Sequence, residues 1–544
     1  VSRRAWAPLA LTLVLAWLVL YPILVVAAAA AHRDAVAAFV TRRAEWAALG
    51  ASCWISVASV LLAAAVGVPL AFLFEALEFP GRRLLGSLIA LPAVLPPLVG
   101  VIAFLFLYGE SGFVARAVQA LLGLPRAPWR LQGAGAILLV HAYSMYVYFY
   151  LFTRAGLARR DAALVEAAQA LGAGRWRTLT RVTLPLLRPA LAGAALLVFM
   201  TALGSFSAPY VFGGDFRVMT TQIVATKLNG DLPLAMVETV ALALVAAAGL
   251  AVLRRTEGDD IVAALGKGTA PRRRPIRRPG ARAAAAAAGW TLAALLLLPH
   301  LTLVLVSLVP YGTWTTETVP PVLSLVNYRR LFGEPERLQP LLNSLWMATA
   351  STLAAVALAL AAGALVGRRP AAAARAWWRR PIETLLALPW ALPGTVFAIA
   401  LATTFSVHRP LALRWVLVGT VALLPLAYLV RNLPVTGRAV LAGYRQLDPA
   451  LTEAAASLGA GPWAAFRRVT LPLLKPALAA GGSLAFVAAL GDFVTSIVLY
   501  TYDNRPIAIE ILASLRLSEL GVAAAFGVIL MVLSAAVLAL GARR

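Results

Sequence analysis

About twelve apolar runs, each near the length of one membrane crossing, alternate with short polar stretches along this chain. They lie near residues 8–31, 52–76, 84–108, 134–154, 187–212 and 234–253, then 285–309, 343–366, 383–405, 412–431, 477–500 and 520–541. A hydrocarbon core about 30 Å thick requires roughly 20 apolar residues of helix to cross it. Inside that core the backbone must satisfy its own hydrogen bonds, so each run reads as a helix. The pattern predicts an all-α polytopic membrane protein with six spans on either side of a central polar stretch.

The polar stretches carry a second pattern. Arg3 and Arg4 precede the first run, Arg82 and Arg83 follow the second, and Arg159, Arg160, Arg175, Arg177 and Arg181 crowd the stretch between the fourth and fifth. In the second set, Arg368, Arg369, Arg379 and Arg380 follow the eighth run, Arg467 and Arg468 follow the tenth, and Arg543 and Arg544 follow the last. Cytoplasmic loops carry the excess of Lys and Arg, so this alternation places both termini in the cytoplasm. An arginine pair before the first run and the alanine tract Ala27 to Ala31 after it resemble a secretory signal. The apolar stretch is longer than the 7–15 residues of a signal core, so an uncleaved first helix is expected.

A polar segment occurs twice at a constant offset of 287 residues. Asp161-Ala-Ala-Leu-Val-Glu166-Ala-Ala-Gln-Ala-Leu-Gly172, running on to Val182-Thr-Leu-Pro185, returns as Asp448-Pro-Ala-Leu-Thr-Glu453-Ala-Ala-Ala-Ser-Leu-Gly459, running on to Val469-Thr-Leu-Pro472. Other landmarks recur with it. Leu91-Pro92 to Pro96-Pro97 matches Leu388-Pro389 to Pro393-Gly394, and Gly204-Ser-Phe206 matches Gly491-Asp-Phe493. These matches divide the chain into a first half (1–253, with its polar loop at 155–186), a linker (254–284) rich in arginine, and a second half (285–544, with its loop at 432–476). Each half holds an even number of spans, so the repeats are parallel and their polar loops face one compartment. The linker, with Arg272-Arg-Arg-Pro and Arg277-Arg-Pro-Gly, has no core of its own.

Elementary rules build the repeated segment. Asp161 and Asp448 suit a helix N-cap, and Pro449 takes the first helical position, where a missing N–H costs nothing. Gly172 and Gly459 end the short helix, because glycine reaches the left-handed conformation without a Cβ penalty. A second short helix bearing Trp176 or Trp463 then leaves at an angle, with the indole anchored at the interface. Ala167-Ala168 and Ala454-Ala455 present little bulk to an approaching protein surface, and Glu166 and Glu453 offer one orienting charge.

Glu-Ala-Ala, three residues, Gly, nine residues, an aliphatic residue, one more and Leu-Pro resembles the EAA signature of permeases from binding-protein-dependent ABC importers. Val182 and Val469 stand where that family usually has Ile. Two fused halves of this layout resemble the ferric-iron and thiamine-type importers, in which one polypeptide supplies the whole pore. The resemblance implies an inner-membrane permease that partners a dimeric ATP-binding cassette ATPase and a periplasmic solute-binding protein. It assigns coupling to the ATPase to Glu166, Ala167, Ala168 and Gly172, and to Glu453, Ala454, Ala455 and Gly459.

Composition narrows the remaining functions. The chain is 61% hydrophobic and 13% charged, with a mean hydropathy of +0.83, which leaves too little polar surface for a soluble protein of this size. Its formal charge of +25 is spread over short loops; this serves topology and anionic lipid headgroups, and no nucleic-acid partner is expected. A single cysteine, Cys53, excludes internal disulfides and Cys-based zinc clusters, and His32, His141, His300 and His408 lack metal-ligand spacing. Gly266-Lys267-Gly268-Thr269 lacks the leading glycine of a phosphate-binding loop and has Gly where Ser or Thr is needed. The chain is therefore expected to be no enzyme and to bind no cofactor or metal, with ATP used by a partner subunit.

Candidates for the solute path follow from the cost of polarity in a membrane. Asp492 lies inside an apolar run, where a carboxylate costs roughly 2.5–3.5 kcal/mol unless it meets protein or water, so it should point inward. Ser205 is its repeat partner. His141 joins them from a fourth run made polar by Tyr143, Tyr146, Tyr148 and Tyr150, most of which should serve packing. Pro92, Pro96, Pro389 and Pro393 suggest kinked or broken helices beside a polar cavity. Hard oxygen groups such as Asp492 suit a hard cation, which makes ferric iron the first choice of solute; thiamine, an organophosphonate or another small solute fits the same layout. An ATP-independent secondary transporter could share twelve spans and a parallel repeat, but has no use for two matched docking helices.

Overall fold

The computed structural model describes residues 6–159, 162–256, 274–276, 278–314, 317–367 and 377–542. In the first half these form α1 (Trp6–Ala29), α2 (Arg43–Ala76), α3 (Arg82–Leu88), α4 (Pro97–Tyr108), α5 (Phe113–Leu122), α6 (Gly133–Arg159), α7 (Ala162–Ala170), α8 (Arg175–Leu203), α9 (Ser207–Phe212), α10 (Met219–Leu228) and α11 (Leu232–Thr256). The second half repeats all of these but α5 as α12 (Pro279–Ser307), α13 (Pro335–Val366), α14 (Arg379–Ala387), α15 (Gly394–Thr404), α16 (Leu423–Gln446), α17 (Pro449–Ser457), α18 (Pro462–Leu490), α19 (Val494–Leu499), α20 (Ile507–Arg516) and α21 (Leu520–Ala542). Among the described residues ten helices are long and apolar enough to cross a membrane, or eleven with one bent pair.

Three expected runs take a different form. The run at 84–108 is broken into α3, a 3-10 turn at Leu91–Val94 and α4. The run at 383–405 breaks in the same way, its two pieces meeting at 109°. Pro92, Pro96, Pro389 and Pro393 cause these breaks: each removes a backbone donor, and Pro96 and Pro393 take extended backbone just before the next helix begins. The run at 412–431 is not one helix. Leu413 and Arg414 have φ of 55° and 59° in a loop, and α16 starts only at Leu423. At about 1.5 Å per residue its 24 residues are long enough to cross, but it carries Arg431, Arg438 and Arg445. Each finds a protein partner: Asp492, the Trp390 ring 4.2 Å away, and Glu383 at 2.6 Å. A hydropathy scan misplaces this helix because its arginines are counted as polar although each meets a protein partner, and much of the loop expected at 432–476 is helical.

The second short helix expected after Gly172 and Gly459 is also different. It is the start of the following span. Single π-helical turns at Leu179–Thr183 and Phe466–Thr470 carry the chain from Trp176 and Trp463 straight into α8 and α18. Pro185 and Pro472, which offer no N–H to a regular ladder, stand two residues past the ends of those turns.

Each half's first span lies against the other half. Leu11, Leu15, Leu18 and Val19 of α1 share a buried cluster with Ala355, Ile382, Leu386 and Leu433, while α12 packs on α3 and α4. The largest cluster joins Leu98, Ile102 and Phe206 of the first half to Tyr428, Phe493 and Phe526 of the second. Smaller details repeat as well. Met219 N donates to Ser52 Oγ at 2.7 Å, and Ile507 N to Ser344 Oγ at 2.8 Å, fastening α10 to α2 and α20 to α13. Most of the expected linker, residues 257–273 and 277, lies outside the described residues. Of the rest, Arg274–Pro275 pairs in parallel with Leu77–Glu78 of the first half.

Candidate functional site

The broken helices meet at the junction of the halves and enclose a cavity of about 340 Å³. Its wall contains every residue expected on the solute path: Pro92, Pro96, His141, Ser205, Pro389, Pro393 and Asp492. Each half closes on the other through small residues. A Cβ on Gly491 would stand 2.7 Å from Pro96 Cβ, and one on Gly204 would stand 3.5 Å from Pro393 Cα. The glycines that end α8 and α18 thus admit the proline breaks of the opposite half.

The two sides of the cavity carry different chemistry at matching positions. On the first-half side, the Ser59 hydroxyl donates to Ile55 O at 2.6 Å, so its oxygen is left to accept from His141 Nδ1, 2.8 Å away. His141 Nε2 then accepts from the Ser205 hydroxyl at 2.9 Å. This relay is neutral and internally satisfied. On the second-half side, Asp492 is bound on both oxygens. Thr495 N donates to Oδ1 at 2.7 Å, and the Arg431 guanidinium and the Thr495 hydroxyl both donate to Oδ2, the hydroxyl from 3.2 Å. The Tyr428 and Ser496 hydroxyls, 2.6 Å apart, close the group.

Asp492 does line the cavity, but as half of an ion pair. Arg431 had no place among the expected site residues, and neither did Asn432, whose side chain lines the same wall. A signal for Arg431 existed: an arginine in the tenth apolar run and a carboxylate in the eleventh are both costly alone and tolerable together. Most of the fourth-run tyrosines pack, as expected. Tyr143, Tyr146 and Tyr150 donate to Leu296 O, Ile89 O and Gly86 O, and Tyr143 and Tyr148 stand on the cavity wall.

The repeated segments form two short helices, α7 and α17, with matching geometry. Asp448 Oδ1 accepts from Ala450 N at 2.9 Å; Asp161 lies outside the described residues. Gly172 and Gly459 have φ of 82° and 80°. In both, the next residue's N–H returns to the first alanine turn, Ala173 to Ala168 O and Ala460 to Ala455 O, each at 3.0 Å. This is the glycine-terminated helix end in which a left-handed residue lets two orphan carbonyls be satisfied. Glu166, Ala167, Glu453 and Ala454 are exposed, and Ala168 and Ala455 half-buried. Beside them Leu171 and Leu458 are 89% and 88% exposed, and Trp176 and Trp463 are 76% and 70% exposed. Trp463 stacks on Phe466, 5.6 Å between ring centroids, and still leaves most of its surface open.

Membrane-length helices in two like halves that enclose a polar cavity between them are the architecture of a transport channel or carrier component. Comparison with known proteins narrows the class. The family model for "binding-protein-dependent transport system inner membrane component" matches twice, at residues 63–255 and 345–543. The chain is 31% identical over 514 residues to a probable ABC transporter permease protein, y4fN, of Sinorhizobium fredii, covering 92% of this chain and 89% of that one. It is 28% identical to the ferric transport system permease protein FbpB of Actinobacillus pleuropneumoniae, over 82% of this chain and 64% of the relative. Over 172 residues it is 37% identical to the molybdenum transport system permease protein ModB of Escherichia coli K12, covering 31% of this chain and 72% of the relative. Among solved structures, a bacterial ABC transporter that imports alginate aligns with 47% of this chain and 95% of its own, at 18% identity and a TM-score of 0.36. The chain belongs to the binding-protein-dependent transport system inner membrane component family. It is the permease of an ABC importer, working with a periplasmic binding protein and a separate ATPase subunit that hydrolyses the ATP.

Proposed function

We propose that this single chain supplies the whole solute path of its importer. Its halves, 1–253 and 285–544, joined by the linker 254–284, close around the cavity at Asp492, Ser205 and His141. The arginine-rich loops, the linker and both chain ends face the cytoplasm. The helices α7 and α17 are the contacts for the ATPase dimer, with Leu171 and Leu458 seated in its surface and Gly172 and Gly459 setting the angle of each helix. Closure of the ATPase dimer draws these helices together, and the motion passes through the π turns into α8 and α18, which end two residues before Ser205 and Asp492. The observation that carries this reading is the collection of every candidate path residue in one cavity between the halves, in a chain that also presents two matched exposed helices.

Ferric iron heads the candidate solutes on the likeness to the ferric relatives, followed by thiamine and organophosphonates. The argument from Asp492 as a free hard ligand no longer supports iron, because both carboxylate oxygens are occupied. The test is uptake of radiolabelled ferric citrate, thiamine and methylphosphonate into vesicles carrying the chain with its ATPase and binding protein. ATP-dependent uptake is expected. Uptake that persists without ATP would instead support a secondary transporter.

A further inference from the structure

The one charge that the cavity leaves open is positive. Asp492 is 8% exposed and has no vacant oxygen, whereas its partner Arg431 is 32% exposed. Among the described residues Arg431 binds protein only through Nη1, to Asp492 and, at 2.8 Å, to the Thr495 hydroxyl. A guanidinium has five N–H donors in a fixed fork, so Nε and Nη2 keep theirs. Gly394 makes room for this group: a Cβ there would stand 2.6 Å from Nη1 and 3.1 Å from Nη2. The matching position in the first half is Pro97, and the matching residue to Arg431 is Ser144, so the fork exists on one side alone.

One further feature points the same way. Asn432, 3% exposed and on the cavity wall, has an Nδ2 with no partner. The helices α4 and α15 begin at the cavity and α8 and α18 end at it, so their opposite dipole ends balance and leave the guanidinium as the exposed charge. His141 and Ser205 use their groups on each other and offset none of this.

We propose that the cavity recognises a small oxyanion, such as a phosphonate or a tetrahedral metal oxyanion, through the open edge of Arg431 and the amide of Asn432. A carboxylate or phosphonate oxygen pair matches the Nε and Nη2 side of the guanidinium fork, which Asp492, held at Nη1 alone, leaves open. A bare metal ion or an organic cation finds only neutral acceptors here, and the one exposed charge is positive; iron qualifies only within a shell of anionic oxygen ligands. This inference rests on the cavity being the solute path.

Charged thiol reagents test the field of the cavity without knowledge of the solute. In the full chain carrying Cys53→Ala and Ser144→Cys, the reaction rates of a sulfonate and of a quaternary ammonium methanethiosulfonate are compared, each divided by its rate with a free thiol. The sulfonate should be favoured. Taking about 9 Å as the width of the cavity, one unit charge alters the ratio roughly fivefold even at the dielectric of water, so Arg431→Gln should lower it by about that factor and Asp492→Asn should raise it. A ratio favouring the ammonium reagent in the protein that retains Arg431 would overturn the proposal, and this measurement needs no charge variant to fold. A second arm measures ATP-driven uptake of methylphosphonate, molybdate and thiamine, before and after Ser144→Cys is labelled. Carriage of an anion supports the proposal, and carriage of cationic thiamine overturns it. Uptake that labelling leaves unchanged would show that the cavity is not the path, a failure distinct from an incorrect sign of charge.

Discussion

Removing the charge of Asp492 should damage transport far more than removing the hydroxyl of Ser205, its repeat partner. Asp492→Asn keeps the shape and an oxygen for Thr495 N, but it leaves Arg431 without a counter-charge beside a largely buried amide. A charge-assisted hydrogen bond to a buried group is worth about 1.5–3 kcal/mol. Because Arg431 is about a third exposed, water screens part of the loss, and about 2 kcal/mol is the expected cost. Ser205→Ala removes one neutral hydrogen bond, to His141 Nε2, worth about 1 kcal/mol. If these costs fall on the conformation that opens the cavity, 1–2 kcal/mol corresponds to roughly 5–30-fold in its population. Uptake per inserted protein should therefore fall by more than about tenfold in Asp492→Asn and by less than about fivefold in Ser205→Ala. The assay is uptake normalised to membrane-inserted protein, with ATPase activity and thermal denaturation followed in parallel. The double variant Arg431→Gln with Asp492→Asn should recover thermal stability, since no charge is left unpaired, while uptake stays low. Unchanged normalised uptake in Asp492→Asn would refute the reasoning and remove the ion pair from the path.

Gly172→Val or Gly459→Val should uncouple ATP hydrolysis from uptake while the protein remains inserted. A Cβ at either glycine meets nothing within 4 Å, so the damage comes from the left-handed backbone alone, about 1–2 kcal/mol for a residue with a side chain, and normal uptake in both variants would count against the coupling role. Leu171→Asp and Leu458→Asp should weaken co-purification of the ATPase subunit without lowering insertion, because both side chains are almost fully exposed; retained co-purification would place the contact elsewhere. A cysteine introduced in the 260–280 linker should react with impermeant reagents only from the cytoplasmic side, and labelling from outside would break the six-plus-six topology. Ser52→Ala and Ser344→Ala should each cost about 1–3 kcal/mol by leaving a buried backbone N–H of α10 or α20 unpaired, read as a lowered denaturation midpoint of the purified protein.

Helix, membrane and repeat were legible along the chain because their causes are local. Apolar length makes a span wherever it occurs, a proline breaks the helix it sits in, and Gly172 and Gly459 end their helices through their own backbone freedom. The proline pairs even pointed to the cavity, since backbone freed inside a membrane needs a protein or water partner. What depended on the tertiary structure involves residues far apart in sequence. Asp492 reads as an isolated carboxylate until α16 brings Arg431 against it, 61 residues away. The same packing explains why a helix as polar as α16 lies among the spans: its arginines meet Asp492, Trp390 and Glu383, which no hydropathy window contains. The exchange of first spans between halves was equally hidden, because an apolar helix face packs on any matching surface and its sequence does not say which. Hydropathy reports what a segment avoids, namely water; only the folded arrangement decides what it meets.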